Sequence, residues 1–287
     1  MGNRFFDEIR KLPEKGDIEK VLEKWEKIQQ RQWLHQFGMP IVIPELLLYS
    51  APGIGRSHLL RLLSEGLQDS KLLEFSGEVP FFEFSFEYCH PQEHFEELSR
   101  FQTRLEQAAG FRSHYKGIVC IELNEWLGHL KEKYFKVFFE FLEVLSNSVL
   151  LVFSLSKGTG IQKREMEQFL AMSFRLEVVH LTMPTAEEYA DYMMNALRRY
   201  GFSLSEEVEQ FLIDSIGELR NNPYFDGYKS IKRMLQDIVY HVLTREEIDN
   251  FVLDENSISK FKLDGEYIQQ TKLLYEKREI GFQVEEG

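Results

Sequence analysis

Residues 45–63 of the 287-residue chain read ELLLYSAPGIGRSHLLRLL. Residues 45–49 form a short apolar run with the length of a buried strand, whereas residues 50–55 contain a proline and two glycines. Residues 56–63 are rich in leucine and contain no helix breaker. This order predicts a strand, a tight glycine turn and a helix.

Strands and helices are predicted to alternate on either side of this stretch. An amphipathic helix is expected within residues 17–37 because apolar side chains recur there at helical spacing. Downstream, the pattern predicts strands at 81–89, 117–123 and 149–155, and helices near 95–109 and 126–146. Buried strands that alternate with helices are typical of a parallel sheet with helices on both faces.

The strand pattern ends near Pro184, and three helical segments follow it. They span about residues 189–200, 208–219 and 231–243, the last with apolar residues at nearly ideal i, i+3, i+4, i+7 spacing. We therefore expect an α/β parallel-sheet core at 1–183, a small helical domain at 184–246 and a tail of uncertain structure at 247–287.

The glycine turn partly matches the phosphate-binding pattern G-x-x-x-x-G-K-[ST]. The matching stretch is Ser50, Ala51, Pro52, Gly53, Ile54, Gly55, Arg56 and Ser57, in which Ser50 replaces the first glycine and Arg56 replaces the lysine. Glycines let main-chain N–H groups curl around phosphate oxygens at the positive end of the next helix, and Ser57 is placed to bind Mg²⁺. The alternative is an ordinary strand-to-helix turn without a ligand.

Composition excludes some classes of function. With 34 Lys and Arg against 47 Asp and Glu, the net charge is −13, so a nucleic-acid partner is not expected. No apolar run approaches the length of a membrane span, and the two cysteines have no metal-binding or disulfide spacing. These features predict a cytoplasmic chain without a membrane partner.

The order of these elements resembles the AAA+ superfamily of P-loop proteins. The resemblance covers about residues 17–245, and it points to the branch of the red-type Rubisco activases and the stage V sporulation protein K. It is most specific in residues 183–188, 201–204 and 220–233. It implies a helical lid after the core, ATP or ADP with Mg²⁺ as cofactors, a homo- or hetero-oligomer, and a protein client or an AAA+ paralogue as partner.

The resemblance also places the family's acidic pair at the end of the third strand. Glu122 replaces the aspartate that helps to hold Mg²⁺, and Leu123 replaces the glutamate that polarises the attacking water. Leucine cannot accept a proton, and loss of a positioned general base typically lowers the rate by ~10²–10⁴-fold. In an alternative register shifted by two residues, Asn124 and Glu125 take these roles.

Further nucleotide contacts follow from the same resemblance. Ser154, with Ser156 as second choice, is the polar sensor on the next strand, although it could equally be a structural hydroxyl at a strand end. Lys229 stands where the lid carries a sensor arginine, and Arg175 is the candidate for an inter-subunit arginine finger. His58 follows Ser57 and could approach a bound nucleotide, without a catalytic role.

Three functions remain open at this stage. The first is a nucleotide-binding protein with impaired or absent hydrolysis that serves as a regulatory or structural subunit, since Arg56, Leu123 and Lys229 all depart from the family pattern. The second is an active remodelling ATPase that uses Asn124 and Glu125. The third is a nucleotide-free interaction module. Residues 89–93 lack the family's aromatic-aliphatic-glycine pattern, which puts substrate threading in doubt.

Overall fold

The computed structural model describes residues 3–31, 33, 37, 43–73, 75, 80–87, 93–110, 115–146, 149–244, 252–253, 267 and 269. The chain divides into two compact units. The first comprises Met1–Ala51 and Arg56–Met183, and the second comprises Pro52–Gly55 and Pro184–Gly287.

A parallel sheet forms the centre of the first unit. In the described residues its five strands are β1 (Glu45–Tyr49), β2 (Phe81–Ser85), β3 (Ile118–Glu122), β4 (Leu150–Leu155) and β5 (Leu176–His180). They lie in the order β2-β3-β4-β1-β5, and each neighbouring pair is parallel. The predicted α/β fold with a parallel sheet is confirmed.

Helices cover both faces of this sheet. They are α1 (Arg4–Arg10), α2 (Ile18–Gln30), α3 (Arg56–Asp69), α4 (His94–Ala108), α5 (Lys133–Leu145) and α6 (Gly160–Ser173). Alternate strand residues point to opposite faces, so Cys120 and Val152 pack with α1–α3 whereas Ile121 and Phe153 pack with α4–α6. The sheet is thereby buried on both sides.

The start of α5 and the presence of α1 differ from the sequence prediction. The helix expected at 126–146 begins at Lys133, because Gly128 has a φ of +90° and interrupts the helical path after a 3₁₀ turn at Asn124–Trp126. Helix α1 was not predicted. It is capped by the Asn3 side chain, which accepts hydrogen bonds from the N–H groups of Phe5 and Phe6.

Three helices form the second unit in its described part, namely α7 (Ala186–Arg199), α8 (Glu206–Leu219) and α9 (Tyr228–Leu243). They share an apolar core that includes Tyr189, Leu212 and Ile231, all fully buried. A capping box at Thr185 and Glu188 starts α7. Two short parallel strands, β6 (Ser203–Leu204) and β7 (Val252–Leu253), pair beside these helices. Most of the predicted tail at 247–287 lies outside the described residues.

Gly217, in the last turn of α8, allows a stability prediction. Among the described residues, a Cβ atom there would meet only the Cβ of Ala186, at 3.8 Å. Gly217→Ala is therefore expected to raise the free energy of unfolding by about 0.5–1 kcal/mol, because alanine has the higher helix propensity. Urea denaturation measures the change. Gly201→Ala is the control: its site is equally open but has a φ of +91°, so this variant should be less stable than the wild type.

Candidate functional site

The glycine turn lies at the carboxyl edge of the parallel sheet. Ser50 follows β1 directly, and its N–H donates to the carbonyl of Leu155 at the end of β4 over 3.0 Å. Gly53 and Gly55 have φ angles of +72° and +98°, which favour glycine, and α3 begins at Arg56. Within the described residues, no hydrogen bond leaves the N–H groups of residues 53–55. These donors and the positive end of α3 are the features that bind phosphate in other proteins.

The strand order makes this edge a natural place for a ligand. Strands β1 and β4 are neighbours, but the chain leaves β1 through α3 towards β2 at one edge of the sheet. It leaves β4 through α6 towards β5 at the opposite edge. The two connections therefore run in opposite directions from neighbouring strands, which makes this place a topological switch point. Ligands of open α/β sheets bind at such points, beyond the carboxyl ends of the strands.

Three polar side chains reach this edge from three different strands. Ile118 and Cys120 face α3, so the two-residue period also turns Glu122 towards α3. Ser154 faces α3 by the same alternation, because it lies two residues after Val152 on β4. Glu83 faces α3 as well, because it pairs with Cys120 in the register of β2 and β3. Two carboxylates and one buried hydroxyl thus converge on the first turn of α3.

Arg56 is bound by all three of these groups. Its Nε donates to Oε1 of Glu83 over 3.2 Å, and its Nη1 donates to Oε2 of Glu122 over 3.1 Å and to Oγ of Ser154 over 2.7 Å. Ser154 is fully buried, which makes a hydrogen-bond partner necessary. Within the described residues, the Nη2 group of Arg56 makes no hydrogen bond and could donate to a ligand.

Glu83 also holds the hydroxyl of Ser57. Ser57 Oγ donates to Oε2 of Glu83 over 2.7 Å, so one carboxylate binds two neighbouring residues of the turn. Glu83 was not predicted as a site residue from the sequence. The available signal was a glutamate in the middle of a strand predicted to be buried, a position that calls for a charged partner.

The cluster carries excess negative charge. Burial alone would lower the pKa of Arg56, but the acidic groups Cys120, Glu83 and Glu122 outweigh burial and raise it, so the guanidinium stays charged. Burial raises the pKa of Cys120 to about 12, so its thiol is neutral at physiological pH. One cation therefore faces two carboxylates, and a phosphate that enters without a metal ion would meet repulsion.

The three residues that follow β3 differ in burial and in hydrogen bonding. Leu123 is fully buried in the core on the α4–α6 face. Asn124 Nδ2 donates to Glu122 Oε1 and to Ser156 Oγ, and its Oδ1 accepts from the N–H groups of Ser156 and Lys157. Asn124 thereby links the ends of β3 and β4. Glu125 lies exposed in the 3₁₀ turn.

Residues 52–55 belong to the same compact unit as α7–α9, and Gly53 contacts the turn that precedes α9. The N–H of Tyr228 donates to the carbonyl of Gly53 over 2.8 Å. A Cβ atom at Gly53 would lie 1.8 Å from the carbonyl oxygen of Asp226, and one at Gly227 would lie 2.5 Å from the Gly53 carbonyl oxygen. Only glycine fits at either position.

The remaining predicted residues are His58, Arg175 and Lys229, and all three are exposed. His58 is exposed on α3. Arg175 is exposed just before β5, at the amino end of the strands and therefore at the edge opposite Arg56. Lys229 is exposed in the second unit, one residue after Tyr228. Residues 89–92 of the segment compared with the threading loop lie outside the described residues.

The described part of the chain contains neither a cluster of metal ligands nor a membrane-spanning helix. No group of three or more His, Cys, Asp and Glu side chains there could hold a metal ion. Mg²⁺, however, is commonly bound by one or two protein oxygens together with substrate phosphates. No described helix is long and apolar enough to cross a membrane.

Comparison with known proteins gives similarity in structure only. No protein-family model matches this sequence, and no curated protein matches it. PCH-2 from C. elegans is similar to it with a TM-score of 0.52 and 15% identity, over 93% of this chain and 72% of PCH-2. A mutant RuvB from Thermotoga maritima has a TM-score of 0.48 and 12% identity, over 85% and 69% of the two chains. Domain III of the Thermotoga maritima replication initiation protein DnaA has a TM-score of 0.44 and 17% identity, over 80% of this chain and 88% of the DnaA chain.

All three of these proteins belong to the AAA+ superfamily. None of them is a Rubisco activase or a stage V sporulation protein K, so they do not support that branch, which stays a prediction. The strand order, the glycine turn at the carboxyl edge and the similarity to PCH-2 agree with one another. The chain therefore has the fold of the AAA+ P-loop proteins.

Proposed function

We propose that this chain binds ATP or ADP with Mg²⁺ at the turn of residues 50–57 and hydrolyses ATP slowly or not at all. The observation that carries the proposal is the arrangement around Arg56. The turn keeps its donors and its helix N-terminus, whereas the arginine in the lysine position is bound by Glu83, Glu122 and Ser154. Such a site can hold phosphate without the geometry that hydrolysis requires.

The residues present fit a magnesium nucleotide. The N–H groups of residues 53–55 and the Nη2 group of Arg56 have no hydrogen-bond acceptor within the described residues, and these donors would hold phosphate oxygens. Ser57 and Glu122 supply oxygen ligands for Mg²⁺. The metal ion would neutralise charge between the phosphates and the two carboxylates of the cluster. Ser154 and Lys229 would act as sensors, and His58 would flank the turn.

Two features support impaired hydrolysis. Leu123 is buried in an apolar core and has no group that could polarise water. Glu122 accepts hydrogen bonds from Arg56 and from Asn124, and it would hold Mg²⁺ rather than polarise the attacking water. We assign the chain the role of a regulatory or structural subunit in a cytoplasmic homo- or hetero-oligomer. There Arg175 would reach a neighbouring subunit, and a protein client or a paralogue would be the partner.

Isothermal titration of the full chain with ATP and ADP in Mg²⁺ tests the binding step. We expect heat of binding and a nucleotide-dependent rise in Tm. Phosphate release should be slower than the usual ~1–10³ s⁻¹ of enzymes by roughly 10²-fold or more, because the general base is missing. Turnover at rates typical of remodelling ATPases, lost in Arg56→Ala, would overturn the proposal.

Glu125→Gln distinguishes the proposed slow hydrolysis from the alternative of an active ATPase that uses Asn124 and Glu125. The exposed position of Glu125 leads us to expect unchanged phosphate release in this variant. Glu132→Gln, at the N-cap of α5, is a control for loss of one carboxylate nearby. Abolished hydrolysis in Glu125→Gln alone would favour the active ATPase, in which Asn124 and Glu125 form the acidic pair.

The contact of Gly53 with residues 226–228 favours a second candidate, a nucleotide-free interaction module. In that case the turn would serve only to hold the start of α9, through the hydrogen bond from Tyr228. The same titration distinguishes the two functions. Absence of heat and of a thermal shift at millimolar nucleotide would support the module.

A further inference from the structure

Glu83 holds the two side chains of the turn that a magnesium nucleotide needs. Its Oε1 accepts from Arg56 Nε over 3.2 Å, and its Oε2 accepts from Ser57 Oγ over 2.7 Å. The Glu83 carboxylate has two anionic oxygens, as a phosphate edge has, and an arginine fork binds both kinds of group in the same way.

The position of Glu83 is set by backbone pairing. Glu83 lies in the middle of β2, opposite Cys120 on β3, and its carbonyl accepts from Nη2 of Arg104. A residue held in a strand ladder cannot move away without breaking that ladder, so only its side chain can yield. The Glu83 side chain keeps 29% of its surface exposed, which leaves it room to turn towards water.

We infer that Glu83 is an intramolecular competitor of nucleotide phosphate, which keeps Arg56 and Ser57 occupied until a magnesium nucleotide displaces it. The inference rests on the proposed function and deepens it, since it names the group that regulates the site. Arg56 would exchange its hydrogen bond to Glu83 for one to phosphate, and Ser57 would exchange Glu83 for Mg²⁺. The excess carboxylate charge makes the metal ion necessary for this exchange.

Glu83→Gln tests the inference, because glutamine has the same shape without the charge. Titration of the full chain with ADP and Mg²⁺ should show affinity about tenfold higher than for the wild type, since a charge-assisted contact no longer competes. Glu87→Gln is the matched control. Glu87 lies four residues further along and pairs only with Arg100 among the described residues, so its loss changes the net charge equally and should leave affinity unchanged.

A second variant covers the case in which Glu83→Gln does not fold. Glu83→Asp keeps the charge but is shorter by one methylene, so its carboxylate cannot span Arg56 and Ser57 together. Its affinity for ADP and Mg²⁺ should also rise, by less than in Glu83→Gln. Binding equal to or weaker than that of the wild type in every variant that folds would overturn the inference.

The outcomes separate the inference from the proposed function. If the wild type binds and Glu83→Gln binds no more tightly, the inference fails and the proposed function stands. If only Glu83→Gln binds, the inference holds and nucleotide binding by the unmodified chain is rejected. If neither the wild type nor Glu83→Gln binds nucleotide, the inference and the proposed function both fail, because removal of the carboxylate does not uncover a site.

Discussion

Arg56→Ala is expected to lower the free energy of unfolding by about 2–3 kcal/mol, because it leaves Glu83 and Glu122 without their cation. Removal of one partner from a fully buried pair usually costs about 3–5 kcal/mol. The value is smaller here since the side chains of Arg56, Glu83 and Glu122 keep 24%, 29% and 31% of their surface exposed to screening solvent. Urea denaturation measures the change.

The same variant should lose at least about tenfold in affinity for ADP with Mg²⁺, because two unneutralised carboxylates then face the phosphates. Arg61→Ala is the control, since Arg61 is exposed on the same helix. Its stability should stay within about 0.5 kcal/mol of the wild type. Equal stability of Arg56→Ala and Arg61→Ala would show that the cluster contributes nothing to the fold.

Arg56→Lys distinguishes the contribution of the charge from that of the planar guanidinium group. Lysine keeps the charge but is a compact ammonium group without the planar fork that reaches Glu83, Glu122 and Ser154 together. We expect the loss of stability in Arg56→Lys to be larger than in Arg61→Ala and smaller than in Arg56→Ala. In a double-mutant cycle, Arg56→Ala combined with Glu83→Gln should be less destabilising than the sum of the single changes, since the pair is in direct contact.

Gly53→Ala is expected to lower the free energy of unfolding by about 2–5 kcal/mol. A left-handed φ of +72° costs about 1–2 kcal/mol for a residue with a side chain. The added Cβ atom would also lie 1.8 Å from the carbonyl oxygen of Asp226, and overpacking of this kind adds about 1–3 kcal/mol. Relief of the clash would break the hydrogen bond from Tyr228 N–H to Gly53.

Gly201→Ala isolates the contribution of the dihedral angle. Gly201 has a φ of +91°, but no described residue lies within 4 Å of the added atom, so its substitution should be less destabilising. The difference between the two variants then measures the contact with Asp226. If Gly53→Ala and Gly201→Ala lose the same stability, the turn is not packed against the start of α9.

Much of the fold was predictable because it depends on local patterns. The strand expected at 45–49 is β1, with the same limits, since an apolar run flanked by Pro44 and a glycine turn has few alternatives. The third helix predicted after residue 184 is α9, which ends at Leu243, where its apolar stripe ends. The start of α5 was predicted wrongly, because the apolar residues around Trp126 continue a helical pattern that Gly128 interrupts in the folded chain.

The candidate site was predictable only in part. Arg56, Ser57, Glu122 and Ser154 were identified from a motif and a resemblance, and the structure brings them together. Glu83 was not identified, because its partners lie 26 and 27 residues away and no local pattern connects them. The same holds for Gly53 and Asp226, which are far apart in sequence but in contact.

The amino-acid sequence by itself determined the succession of strand, glycine turn and helix, the alternation that makes the sheet parallel, and the helical segments after residue 184. These features depend on periodicity and on turn chemistry, which act over a few residues. Only the tertiary structure decided that β2, β3 and β4 bring Glu83, Glu122 and Ser154 to one cation. The reason is that pairing between distant strands depends on the packing of the whole core, which no short segment encodes.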